Sequence, residues 1–196
     1  MGELGTVDGE QATEAALLTR WRDGDPSAFR DLHRLHFPFV FRIARRLGTP
    51  EPELDDLYRE LLLDHYRSPR NKGTLEKATA RTEGFNPLCG DEIEVDVDVN
   101  DGVIEEVAFR GRGCSISQAS GSMMTDAVKG RTVAEARQIS EAFRRLMTEP
   151  GEQAAEDLGD LEAFQGVARF PVRVKCATLA WRVLEDGIRN SGGLGK

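Results

Sequence analysis

The stretch that most constrains the chain runs from Ile93 to Phe109. Ile93, Val95, Val97 and Val99 alternate with Glu94, Asp96, Asp98 and Asn100, the period of 2 that gives a strand one buried face and one wet face. The Asp101-Gly102 pair that follows is a two-residue hairpin signal, and Val103, Val107 and Phe109 continue on a returning strand. Strands joined by so short a turn are antiparallel, so this sheet is not doubly wound. Beyond Gly111-Arg112-Gly113-Cys114 the period becomes helical. Ile116, Ala119, Met123, Met124, Ala127 and Val128 share one face, Gly130 is placed to stop the helix, and Thr132-Val133-Ala134-Glu135 is a capping-box pattern that opens another. The expected class is α+β, a small antiparallel sheet with helices packed on one side.

Two further segments complete the layout. Upstream, apolar positions from Leu17 to Leu47 recur near a 3.6 period and fit two helices separated at Asp23-Gly24-Asp25-Pro26. The run Gly-Thr-Pro-Glu-Pro from Gly48 to Pro52 marks the boundary of this helical extension, residues 1–52, from a second part, residues 53–196, that opens with an amphipathic helix at Leu54–Leu63. Downstream, an acidic insertion from about Pro150 to Gly166 precedes a final helix from Val172 to Ile188, with Cys176, Leu179, Ala180, Val183 and Leu184 on one stripe.

Charge narrows the function classes. The 196 residues carry 34 acidic and 26 basic side chains, a formal charge of −8, which argues against a chain built to grip nucleic-acid phosphates. The extension holds 7 basic and 8 acidic residues, so the acidity belongs to the second part. No run approaches the ~18 consecutive apolar residues of a membrane span. Three cysteines cannot make a disulfide framework, and no export signal precedes them. Reduced thiols in the cytoplasm are expected, where spaced cysteines serve metal or sulfur chemistry.

All three cysteines fall in the second part. Cys89-Gly90-Asp91 offers two anionic ligands about a flexible glycine. Cys114 stands where a strand opens into a helix N-terminus, which favours thiolate. Cys176 reads as first-turn in the last helix, flanked by Arg173 and Lys175, with a depressed pKa expected. Three thiolates and a carboxylate complete a tetrahedral set for zinc. The spacings of 25 and 62 residues match no zinc-finger pattern, and a cysteine on an apolar stripe also fits a core. On the residues alone, both readings stay open.

The longer motifs carry a resemblance. Asp56-Leu57-Tyr58-Arg59-Glu60, Leu63 through Gly73, Asn86-Pro87-Leu88-Cys89-Gly90-Asp91, Gly111 through Ser120 and Phe170-Pro171-Val172-Arg173-Val174-Lys175-Cys176-Ala177 resemble, in this order, the IscU/SufU family of iron–sulfur cluster assembly proteins, and its SufU branch in particular. IscU proper has a His where Lys175 stands, and the 150–166 insertion is also a SufU feature. The resemblance implies a SufE/NifU-like α+β fold with zinc held by Cys89, Asp91, Cys114 and Cys176. It implies a zinc-dependent sulfurtransferase that accepts persulfide sulfur on Cys89 from a SufS-type cysteine desulfurase and serves a SufBCD-type scaffold. Arg173 and Lys175 are candidates for partner contact. The alternative within the family is a scaffold on which an iron–sulfur cluster is assembled, using the same ligands. His65, inside a matched segment, reads as structural. Residues 14–52 resemble the opening helices of an extracytoplasmic-function sigma factor, but no promoter-reading segment or helix-turn-helix domain follows.

Overall fold

The computed structural model of the chain describes residues 14–25, 28, 32, 36, 51–149 and 158–192. The chain separates into two compact units, Met1–Thr49 and Pro50–Lys196. In the first, α1 (Glu14–Arg22) buries Leu17 and ends where Gly24 takes a φ of +89°, with Arg20 paired to Asp25 at 2.6 Å across the turn. The helix expected after Pro26 lies largely outside the described residues.

The second unit opens with α2 (Glu51–Arg67). Its first residue precedes Pro52, within the Gly48–Pro52 run expected to bar a helix. Proline is tolerated in a first helical turn because the amide it lacks has no intrahelical acceptor there. The sheet follows as β1 (Ala80–Asn86), β2 (Asp91–Asn100) and β3 (Val103–Arg112), antiparallel and in the order β1-β2-β3. Asp101 and Gly102 both take positive φ, 49° and 78°, the twist a two-residue hairpin demands. Four residues then connect β1 to β2, with Asn86 paired to Asp91.

Helices α3 (Ser115–Val128) and α4 (Val133–Thr148) follow. The expected capping box is present, with Thr132 Oγ1 accepting from the Glu135 amide at 3.2 Å and Glu135 Oε2 from the Thr132 amide at 2.8 Å. A 3-10 turn at Gly159–Phe164 and the short α5 (Gln165–Ala168) lead to α6 (Pro171–Ala177) and α7 (Leu179–Asn190). The core forms between one sheet face and the helices: Ile93, Val95, Val97, Ile104 and Phe109 are fully buried, each contributing about 1.5–3 kcal/mol relative to exposure. Close approach depends on two glycines. A Cβ on Gly84 of β1 would lie 2.3 Å from Val183 of α7, and one on Gly121 of α3 would lie 2.8 Å from the Phe109 ring.

Two expectations change, the wet face of β2 and the single last helix, and two further contacts come into view. The supposedly wet face of β2 is covered at its middle. Asp96 is fully buried, and its carboxylate accepts from Arg110 at 3.1 Å and from the Leu75 amide at 3.1 Å, partners that replace the water it loses. Residues Asn71–Gly73 reach the far edge of β3, where the Phe109 amide donates to Asn71 O at 3.0 Å and the Gly73 amide to Phe109 O at 2.9 Å. The end of the acidic insertion is packed: Phe164 is fully buried and meets Phe143 edge-on at 5.2 Å. The single last helix is two, broken at Thr178, whose hydroxyl donates to Val174 O at 2.9 Å, a back-bond that bends helices.

Candidate metal and sulfur site

Cys89 sits in the β1–β2 turn. Asn86 O accepts from the Gly90 amide at 2.8 Å and the Cys89 amide at 3.3 Å, while Asn86 Oδ1 accepts from the Leu88 amide at 3.2 Å. Gly90, at φ +73°, supplies the left-handed step that closes the turn. Cys89 is exposed, as are its neighbours Leu88 and Phe85.

Asp91, the first residue of β2, is buried at 2% exposure. Its Oδ1 accepts from the Cys114 amide at 2.9 Å, and its Oδ2 lies 3.4 Å from Cys114 Sγ. Gly113 makes room: a Cβ there would stand 2.8 Å from Asp91 Oδ1. Burial works to raise the Asp91 pKa, but hydrogen bonds from Cys89, the Cys114 amide, Cys176 and the Cys114 thiol outweigh it, holding the carboxyl below its ordinary value. Cys114 is the N-cap of α3, its sulfur accepting from the Ser117 amide at 3.5 Å. The placement at a helix N-terminus is the one read from sequence.

Cys176 departs from that reading. It lies at the C-terminal end of α6, one residue before Ala177, and is 4% exposed. Burial above all, then the neighbouring Cys89 and Asp91, push its thiol well above the ordinary range. The helix break at Thr178 moves Cys176 from the favourable end of a macrodipole to the unfavourable one. Its Sγ lies 3.4 Å from Cys89 Sγ and 3.7 Å from Asn86 Nδ2. Ser120 of α3, fully buried, donates to Ala177 O at 2.6 Å and accepts from Trp181 Nε1 at 3.2 Å, pinning the break that carries Cys176.

The ligand atoms of Cys89, Asp91 and Cys176 all lie within 4.8 Å of one another. Cys114 joins through Asp91 and is not part of that mutually close set. Arg173 and Lys175 are exposed on α6. Arg173 stacks over the exposed Phe170 at 5.2 Å, and Lys175 lines a groove of about 490 Å³ with Phe85, Leu88, Phe143 and Arg182. His65 is buried, its Nδ1 2.8 Å from Ser122 Oγ, a structural placement between α2 and α3. Asn86 and Ser120 were given no role from sequence. An Asn ending a strand before Pro-Leu-Cys is an Asx-turn signal that points to the first. Nothing local marks the second, whose partners lie 57 and 61 residues away.

The family model for the NifU-like N terminal domain matches residues 57–189. The chain belongs to this family. Its iron–sulfur assembly relatives include the zinc-dependent sulfurtransferase SufU of Bacillus subtilis, 45% identical over 140 residues that span 71% of this chain and 95% of that one. They also include the scaffold protein IscU of Streptococcus pyogenes, 41% identical over 71% of this chain and 87% of that one. A solved structure of a putative iron–sulfur cluster assembly scaffold protein for the SUF system from Fervidobacterium islandicum is 33% identical, with a TM-score of 0.62, over 66% of this chain and 94% of that one. The α+β architecture read from sequence is thus that of the NifU-like domain. The sigma-like stretch, residues 14–52, lies outside the matched span, and most of it lies outside the described residues. Among the described residues no helix is long and apolar enough to cross a membrane.

Proposed function

We propose that the chain is a zinc-dependent sulfurtransferase of the SufU kind, taking persulfide sulfur from a SufS-type cysteine desulfurase for iron–sulfur cluster assembly. The observation that carries this reading is an exposed thiol, Cys89, whose sulfur lies within 4.8 Å of the donor atoms of a buried carboxylate and a buried second thiol. Three thiols and one carboxylate suit zinc, which takes four such donors, so Cys89, Asp91, Cys114 and Cys176 would hold it. Bound there, the ion would keep the thiols ionised near neutral pH and mask them from stray oxidation.

The chain's own residues perform the transfer. Cys89 Sγ attacks the outer sulfur of a persulfide on the desulfurase, a sulfur–sulfur bond forms to Cys89, and the desulfurase cysteine leaves as thiolate. Exposure of Cys89 allows the approach. Arg173 and Lys175, beside the exposed Phe85, Leu88, Phe170 and Val172, face the partner. A SufBCD-type scaffold would be the downstream recipient, and three free thiols suit a reducing cytoplasm as the compartment. No step uses residues 1–52.

Replacing Cys89 by Ala should abolish the chain's stimulation of alanine release by the desulfurase; unchanged stimulation overturns the acceptor role. The scaffold alternative keeps its place because IscU relatives share this family. Anaerobic reconstitution separates the two. Stoichiometric zinc with no visible chromophore supports transfer, and a stable cluster absorbing in the visible supports scaffolding.

A further inference from the structure

The two edges of the sheet are treated differently. The outer side of β3 is covered: Phe109 exchanges main-chain bonds with Asn71 and Gly73, and Ile104 with Gly130 and Arg131. Along the outer side of β1, among the described residues, no strand or loop pairs. Successive residues of a strand turn their main-chain groups to opposite sides, and two contacts fix which of them look outward. Asn86 O is held inside the β1–β2 turn by the Cys89 and Gly90 amides. Phe85 O accepts instead from Arg182 Nη2 of α7 at 3.3 Å. Phe85 and Glu83 therefore present N–H and C=O to the open edge, and one guanidinium stands where a neighbouring strand would pair.

A groove of about 490 Å³ lies beside the end of this edge, with Phe85 and Leu88 on the strand side and Phe143, Leu179 and Trp181 on the helix side. Its charge runs against that of the chain, whose formal total is −8. Arg144, Lys175 and Arg182 line it against Glu185 alone, which already accepts from the Ser140 hydroxyl. Arg144 is paired with Glu141, whereas Lys175 has no partner among the described residues. A second copy of the chain seated here would set these cations against themselves, so the groove suits an acidic occupant from another protein. A strand added to β1 would carry every other side chain to the groove side of the sheet. An apolar side chain fills the groove, and carboxylates reach Lys175 and the guanidinium of Arg182 once an incoming amide has replaced it on Phe85 O.

We propose that the open edge of β1 and the groove beside it take an extended, acidic segment of a partner protein as an added strand. Arg182 holds the edge closed until that segment arrives. The inference stands on this edge and groove and needs no event at Cys89.

The test titrates the full chain with a fluorescein-labelled peptide in which Glu alternates with Val and Phe, followed by anisotropy. Binding should saturate, and Lys175→Glu should weaken it about tenfold, as should replacing each Glu of the peptide by Lys. Amide hydrogen exchange then reads the mode of binding. At saturation the Phe85 and Glu83 amides should slow at least about tenfold, while the Gly84 amide, which faces β2, stays as it was. Lys175 is exposed, so its variant tests charge without disturbing a core.

No saturable binding at about millimolar peptide overturns the proposal, and so does a lysine peptide that binds equally well. Saturable binding with no slowing at Glu83 places the peptide in the groove without strand addition and overturns it too. A chain that sediments as a dimer, dissociated by the peptide, would assign the edge to a second copy instead. Each of these outcomes leaves the sulfur-transfer reading where it stood, because none of them reads sulfur.

Discussion

Cys89 and Cys176 are neighbours built from opposite kinds of structure. Cys89 hangs on a four-residue turn held by main-chain and Asx hydrogen bonds, flanked by exposed Leu88 and Phe85. Cys176 ends a short helix over a buried layer in which Ser120 bonds Ala177 O and Trp181, and Trp181 stacks on Phe143 at 4.8 Å. Two identical side chains 3.4 Å apart therefore meet different surroundings: one open to a partner, one desolvated and held. The difference teaches how one small site can hold an open thiol and a closed one side by side. Reactivity is assigned by the element that presents each thiol, and the thiols themselves are alike.

The sharpest way to break this contrast is to damage the support under Cys176 and compare it with damage to the turn. Phe143→Ala removes a fully buried ring that contacts both Trp181 and Phe164. It should cost about 3–5 kcal/mol in urea unfolding and weaken metal retention. A cost below about 1 kcal/mol would mean that Cys176 does not stand on a rigid core. Ser120→Ala should come next. It strands the Ala177 carbonyl and the Trp181 indole N–H, both buried, at about 1–3 kcal/mol. Cobalt-substituted protein should show an altered thiolate charge-transfer band, because the carbonyl beside Cys176 has lost its anchor. An unchanged band would show that Ser120 stabilises the fold without setting the sulfur.

Legibility in the sequence followed the same divide. The hairpin was readable because its determinants are local: alternation in β2 and Asp101-Gly102 at its turn. The capping box at Thr132 was readable for the same reason. The turn around Cys89 was marked by Gly90 and by the Asn-Pro signal. What escaped was set by distant partners. Asp96 looked solvated by alternation, and only Arg110, Arg81 and the Leu75 amide make its burial tolerable. The break at Thr178 left no mark in the apolar stripe, which runs unbroken from Cys176 to Leu184. With it went the orientation of Cys176, and so the direction of its pKa. The ligand role proposed for it rests on resemblance, because spacings of 25 and 62 residues carry no metal signature.

The turn side should respond weakly in stability and strongly in function. Gly90→Ala has nothing within 4 Å of the added Cβ, so its cost is the strain of φ +73° alone, about 1 kcal/mol. Leu88→Ser should be smaller still. Leu88 is 61% exposed, and its amide keeps the bond to Asn86 Oδ1 whatever the side chain. Its unfolding free energy should stay within about 0.5 kcal/mol of wild type. On the proposed sulfur-transfer reading, stimulation of a cysteine desulfurase should nonetheless fall, because an exposed leucine beside Cys89 is surface that a partner can desolvate. Affinity measured alongside unfolding decides the matter. Stability and binding lost together would mean that Leu88 belongs to the fold. Binding lost at constant stability would assign it, with Cys89, to a partner-docking face.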